Sequence, residues 1–136
     1  MSAGQYLATI GIGFAVFIVI DLIWLGLVAP KLYDHYIGQY LAENPKMIAA
    51  VVFYFLYVVG LVYFVVAPAL DGGSLSQAAI DGALLGALAY MTFEMTSYAV
   101  IKDWPFAIVV IDIVWGTLLT SAVAAATYAI ASRFVT

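Results

Sequence analysis

The chain has 136 residues, of which 67% are hydrophobic and only 9% are charged, and it contains no cysteine. Soluble domains are roughly half apolar, so this composition and a mean hydropathy of +1.14 exclude a soluble domain and predict an integral membrane protein. The net charge of -4 comes without a basic patch, which argues against nucleic acid as a partner. The absence of cysteine excludes disulfides and thiol chemistry.

Four apolar runs are long enough to cross a bilayer core, which is about 30 Å thick and takes about 20 helical residues per crossing. They cover approximately residues 6–29, 47–69, 75–101 and 105–132. The first run lacks the basic start of a secretory signal, so we expect it to be retained as a span. Only helices or closed barrels satisfy the backbone in lipid, and the runs are too long for strands. We therefore predict an all-α membrane protein, in which residues 1–136 form one up-down-up-down bundle of four transmembrane helices.

The segment between the first two spans, residues 31–43, has the pattern of a short amphipathic helix. Its apolar residues recur at the spacing of one helical face: Leu32, Tyr33, Tyr36, Ile37, Tyr40 and Leu41. The opposite face carries Lys31, Asp34, His35, Gln39 and Glu43. This pattern predicts an interfacial helix with its tyrosines at headgroup level. An ordered loop is the alternative.

The third span opens with two short motifs. Ser74 and Gln77 have the spacing of a capping box. Gly82 and Gly86 form a GxxxG motif, which permits close helix contact and suggests a possible homodimer through these glycines. Asp81 lies near the start of the same helix, where the helix dipole favours a carboxylate, so we interpret it as structural.

The basic residues predict an orientation. Lys31, Lys46 and Lys102 lie in the connections after the first and third spans, whereas the opposite side holds only Arg133. The positive-inside rule then places those two connections in the cytoplasm and both termini outside.

Besides Asp81 near a helix start, three carboxylates lie deeper inside the predicted spans, namely Asp21, Glu94 and Asp112. An ionisable group at membrane depth is by default a candidate for a functional site. At a rise of about 1.5 Å per residue, each acid lies roughly 10–12 Å from the end of its span on the side of Lys31 and Lys102. Because alternate helices reverse direction, we expect all three at one depth.

Aromatic residues accompany these acids at helical spacing. Trp24 and Trp115 each follow an acid by three residues, so each indole shares a face with its carboxylate. The complete predicted site is Asp21, Trp24, Tyr54, Tyr57, Tyr90, Glu94, Asp112 and Trp115. It has no basic member, so bound protons, a cation or a cationic ligand must neutralise the acids. No cofactor is indicated, and His35 as the only histidine gives little support to a metal or haem site.

At these residues the chain resembles the domain-of-unknown-function family 2177, a family of small bacterial membrane proteins. The resemblance covers nearly the whole chain. Its motifs are D-x-x-W-L from Asp21, Y-x-x-Y from Tyr54, G-x-x-x-Y from Gly86, W-P at Trp104 and D-x-x-W-G from Asp112.

One stretch departs from that family pattern. Where the pattern looks like T-Y-D-L-T-N, residues 92–97 read T-F-E-M-T-S, so the acid is lengthened to Glu94 and the preceding tyrosine hydroxyl is lost. The resemblance implies a four-span protein of the bacterial inner membrane in contact with membrane lipids. It implies no particular activity, and a lipid-related role only through an association with neighbours that act on lipids.

Three functions remain open from the sequence. In the first, the acids bind or move protons, a cation or a lipophilic solute. In the second, the chain is a membrane enzyme acting on a lipid, with Glu94 and Asp112 as general acid and base. In the third, it is a structural or assembly subunit, and the acids only hold the bundle together through hydrogen bonds between helices.

Overall fold

Helices make up most of the computed structural model, which describes residues 1–136 and contains no strand. The helices are α1 (Ala3–Leu27), α2 (Ala29–Ile37), α3 (Met47–Leu70), α4 (Leu75–Val100) and α5 (Phe106–Phe134). A 3-10 turn at Gly38–Tyr40 follows α2, and a π turn at Val62–Val66 lies within α3. All except α2 are long and apolar enough to cross a membrane. The predicted all-α class with four candidate spans is therefore confirmed.

The capping residues explain where two of the spans begin. The Ser2 hydroxyl accepts the Gln5 backbone N–H, and the Gln5 side chain accepts the Ser2 backbone N–H. This reciprocal capping box starts α1 at Ala3, earlier than the predicted start near residue 6. In α4, the Ser74 hydroxyl accepts the Gln77 backbone N–H over 3.1 Å, as the spacing of these two residues predicts.

The closest helix contact in the fold is between α4 and α5. A Cβ added at Gly82 would lie 2.7 Å from the Ala124 Cβ, and one added at Gly86 would lie 2.3 Å from the Gly116 carbonyl oxygen. The GxxxG glycines therefore serve a contact between α4 and α5 within one chain. The homodimer through Gly82 and Gly86 stays a prediction.

The core lies where α1 and the second half of α3 pack against α5. Phe17, Leu61, Leu119 and Val123 are almost completely buried there. The Gln5 side chain donates to the Val135 carbonyl oxygen, and Trp24 stacks on Trp115, so α1 and α5 run in opposite directions. Many large apolar side chains of the spans point outward instead, as expected for surfaces that contact lipid tails.

The predicted amphipathic helix over residues 31–43 is shorter than expected. The α-helix ends at Ile37, directly before Gly38, which is a poor helix former, and the following 3-10 turn ends at Tyr40, after which the backbone of Leu41 is extended. The apolar face of α2 packs against Trp104, Ile108 and Val109, while its charged residues are exposed. The amphipathic pattern is thus real, and its place in the membrane interface stays a prediction.

Residues 29–40 and the α4–α5 connection, residues 101–105, together form what we name the cap. The Tyr40 hydroxyl donates to the Lys102 carbonyl oxygen over 2.6 Å, which joins the two parts. The Tyr40 and Trp104 rings also pack at 5.5 Å between centroids. The cap covers the ends of α4 and α5 directly above Glu94 and Asp112.

Candidate functional site

Glu94 is fully buried one and a half turns before the end of α4, and its first partner comes from the cap. Asp103 adopts a left-handed backbone conformation with a φ of 62°, which Asp tolerates better than most residues. The resulting turn folds Trp104 back along α4. The Trp104 indole Nε1 donates to Glu94 Oε2 over 2.9 Å in a buried hydrogen bond.

The second oxygen of Glu94 has no donor. Oε1 is buried and makes no hydrogen bond, and the group that approaches the Glu94 carboxyl from α5 is the carboxyl of Asp112. Asp112 is 8% exposed. Two ionised carboxylates only accept hydrogen bonds, so a bond between them requires a proton on one of the two.

Asp112 also receives a donor from the cap. The Tyr33 hydroxyl of α2 donates to Asp112 Oδ1. Burial, and then the hydrogen bond to Asp112, raise the pKa of the Tyr33 hydroxyl well above its usual range, so the phenol keeps its proton and stays a donor. Each acid of the pair is therefore held by one cap residue.

The two indoles predicted to share faces with Asp21 and Asp112 contact each other. Trp24 and Trp115 stack with ring centroids 4.3 Å apart and planes inclined by 11°. The Tyr33 ring meets Trp24 edge-on at 6.5 Å. The indole pair thus joins α1 to α5, and Trp24 packs against Tyr33.

Asp21 lies in a separate environment, although it is buried like the other two acids. Its neighbour is the Tyr54 hydroxyl of α3, and Phe17 packs on the Tyr54 ring at 5.1 Å. Tyr90 has both Asp21 and Asp112 among its neighbours. Glu94 and Asp112 neighbour each other, whereas the neighbour of Asp21 is Tyr54, so the structure brings two of the acids together and gives the third a different partner.

Glycine at position 116 creates the space for Tyr90. A Cβ added at Gly116 would lie 2.1 Å from Cγ of the Tyr90 ring, so the ring rests directly on the α5 backbone. Beside it, the Tyr57 hydroxyl and Thr120 Oγ1 are 2.9 Å apart. These contacts fix two tyrosines, from α3 and α4, next to Asp112.

A groove of about 540 Å³ opens between α3 and α4. Its lining residues are Phe53, Tyr57, Ala89, Tyr90, Thr92, Phe93 and Asp112. Phe53, Thr92 and Phe93 are exposed at the mouth, whereas Asp112 is buried at the inner end. By helical rise the mouth lies roughly 9–12 Å inside the span ends, so it opens at the depth of lipid tails.

Comparison with known proteins gives one match. A family model described as "Predicted membrane protein (DUF2177)" matches residues 6–129. The chain belongs to the DUF2177 family. With its four candidate spans, this DUF2177 chain is a multi-pass membrane protein. Neither the curated proteins nor the solved structures gave a match.

Two residues of the DUF2177 site were missed by sequence reasoning, Tyr33 and Trp104. Tyr33 was assigned to the membrane interface because it lies on the apolar face of an amphipathic helix, a pattern that does not reveal that α2 folds over the bundle. Trp104 stood out only as part of the W-P motif. The sequence signal for both is an aromatic donor in a connection at the end of the bundle nearest the acids.

Proposed function

We propose that the DUF2177 chain binds and releases a proton at the Glu94–Asp112 pair while it binds a solute from the membrane. The observation that carries this proposal is Glu94 Oε1, a buried carboxyl oxygen with no donor, on a side chain that has the Asp112 carboxyl as its neighbour. A single proton shared by the pair supplies the missing donor and removes one of two like charges.

The surrounding charges support a proton in preference to a permanent ion pair. An isolated buried charge is very costly unless it is paired. All four basic side chains, Lys31, Lys46, Lys102 and Arg133, are exposed, and none forms a salt bridge with the pair. The groups around it are neutral: Tyr33 from α2 and Trp104 from the cap donate to the pair, and Tyr90 from α4 lies near Asp112. They stabilise one negative charge, which is the charge left after the pair binds one proton.

Access to the pair differs on its two sides. The cap closes the side toward the aqueous end of α4 and α5, because Tyr33 and Trp104 bond directly to the acids. The groove reaches Asp112 from the lipid-facing side. In this proposal a solute enters laterally from the bilayer, and the proton exchanges with water when the cap loosens. By the positive-inside rule, the cap lies on the cytoplasmic side of an inner membrane.

A pH-jump experiment in lipid nanodiscs tests the proposal. Glu94→Gln keeps an acceptor for Trp104 and gains an amide donor toward Asp112, so it preserves the contacts and removes the exchangeable proton. Asp112→Asn does the same from the other partner. We expect wild-type protein to release about one proton more than either variant when the pH is raised. Equal release by all three would contradict the proposal and leave the acids with a purely structural role.

The groove also favours a second candidate, an enzyme acting on a lipid. Two carboxyls of which one holds a proton are the arrangement of a general acid and base pair, and the groove brings a lipid-accessible opening to one of them. Lipid extracts of a deletion strain complemented with wild type or with Glu94→Gln test this. A lipid that is restored by wild type but not by Glu94→Gln supports the enzyme function. Identical lipid extracts from the two complemented strains argue against it.

A further inference from the structure

The shape and charge of the groove indicate the kind of solute that fits it. Its walls are the rings of Phe53, Tyr57, Tyr90 and Phe93, and its volume is within the range of small-molecule sites, about 300–1,000 Å³. Its one ionisable acid is Asp112 at the inner end, and no Lys or Arg lines it. A site with this lining repels an anionic head group and attracts a positive one.

The aromatic walls strengthen this selectivity. Tyr57 and Phe53 stack with centroids 5.6 Å apart, and Tyr90 is held against Gly116. These contacts fix the rings of Tyr57 and Tyr90 in the groove that Asp112 also lines. Aromatic faces attract organic cations. At the mouth, Phe53 and Phe93 are exposed to lipid, which allows an alkyl chain to extend from the groove into the bilayer.

We infer that the groove admits an amphiphile with an ammonium head from the bilayer, and that this head replaces the proton on the Glu94–Asp112 pair. The inference rests on the proposed function, because it requires that the pair holds a proton. Its second support is the unpartnered and fully buried Glu94 Oε1, on a side chain that neighbours Asp112. When the cation pairs with the Asp112 carboxylate, the O–H bond of the pair breaks and its proton passes to water, so the total charge is unchanged.

Binding of radiolabelled decyltrimethylammonium to the full chain in lipid nanodiscs tests the inference, with empty nanodiscs as background. We expect saturable binding and release of about one proton per bound cation. Loss of a charged partner corresponds to about a tenfold or greater change in affinity, so Asp112→Asn is expected to weaken binding by at least that factor. Unlabelled decanol, which has the chain without the charge, and tetramethylammonium, which has the charge without the chain, are expected to compete poorly.

Three groove variants test the location. Ala89→Phe fills the groove from α4, and Thr92→Phe blocks its exposed mouth without entering the core. Both are expected to abolish saturable binding. Leu88→Phe is the matched control, because Leu88 is 64% exposed on the same helix and does not line the groove.

The outcomes separate this inference from the proposed function. Competition by decanol as strong as that by the unlabelled cation, or binding that persists in both Ala89→Phe and Thr92→Phe, would overturn the inference that the groove binds an ammonium amphiphile. This holds even when the pH-jump experiment shows that the pair releases a proton. Saturable binding without proton release would overturn the replacement of the proton by the cation. If wild type and the pair variants also release equal numbers of protons in the pH-jump experiment, the proposed function is overturned as well.

Discussion

The Trp104 indole donates to Glu94 Oε2 over 2.9 Å, although Trp104 lies in the connection after α4 and Glu94 is buried within that helix. Together with the Tyr33 bond to Asp112, this contact joins the cap to both acids of the pair. A change in the charge of the pair therefore changes the strength of the hydrogen bonds that hold α2 and the α4–α5 connection over it.

Replacing Trp104 by Phe tests the strength of this link. The change leaves Glu94 Oε2 without its donor, and a buried acceptor that loses its partner costs about 1–3 kcal/mol. Trp115→Phe is the control, because Trp115 contacts Trp24 by stacking and loses a similar ring area. We expect thermal unfolding in a mild detergent to show the larger destabilisation for Trp104→Phe. Equal losses would mean that the indole acts by packing alone.

Tyr33→Phe tests the second link. Because burial and Asp112 raise the pKa of Tyr33, the hydroxyl is a donor throughout the physiological range, and its removal should cost about 1–3 kcal/mol at any such pH. Tyr36→Phe is the control on the same helix, since Tyr36 only packs against the cluster around Trp104. Hydrogen exchange of the α2 amides is expected to increase in Tyr33→Phe. An unchanged exchange rate would show that α2 is held without this bond.

Gly116→Ala tests the packing of the Tyr90 ring against the α5 backbone. The new Cβ would lie 2.1 Å from the Tyr90 ring, so the ring must leave its position, and overpacking of a tight contact typically costs about 1–3 kcal/mol. Gly60→Ala is the control, because nothing lies within 4 Å of a Cβ there. We expect Gly116→Ala to lower the unfolding temperature and to weaken decyltrimethylammonium binding. A variant as stable as Gly60→Ala would contradict the described Tyr90 position.

The orientation can be measured with reporter fusions. Lys31, Lys46 and Lys102 all belong to connections at the cap end, and Arg133 lies at the other end. An alkaline phosphatase joined after Thr136 should be active outside the cytoplasm, whereas one inserted near Glu43 should be inactive. The reverse pattern would place the acid pair in the outer half of the membrane.

Much of this arrangement follows from the sequence, and the part that does not has a physical reason. Hydropathy and helical rise predict the four spans and the shared depth of Asp112 and Glu94, because both depend on local sequence alone. Rotation of each helix about its axis is set by packing. For this reason the sequence did not separate Asp21 from the Glu94–Asp112 pair.

The partners of the acids were hidden for a related reason. Tyr33 and Trp104 reach the pair only because short connections fold back over the helix ends, and periodicity carries no information about such turns. Gly82 and Gly86 were correctly recognised as sites of close contact. Their partner helix within the same chain could not be chosen from the motif, which is compatible with any small-residue surface.

The central claim is that the Glu94–Asp112 pair carries one proton. Infrared difference spectroscopy of the protein in nanodiscs at neutral pH detects the carbonyl stretch of a protonated carboxyl directly. We expect this band in wild type and in Asp21→Asn, and its loss in both Glu94→Gln and Asp112→Asn, where an amide donor replaces the proton. Absence of the band from wild type, or its survival in both pair variants, would contradict the account.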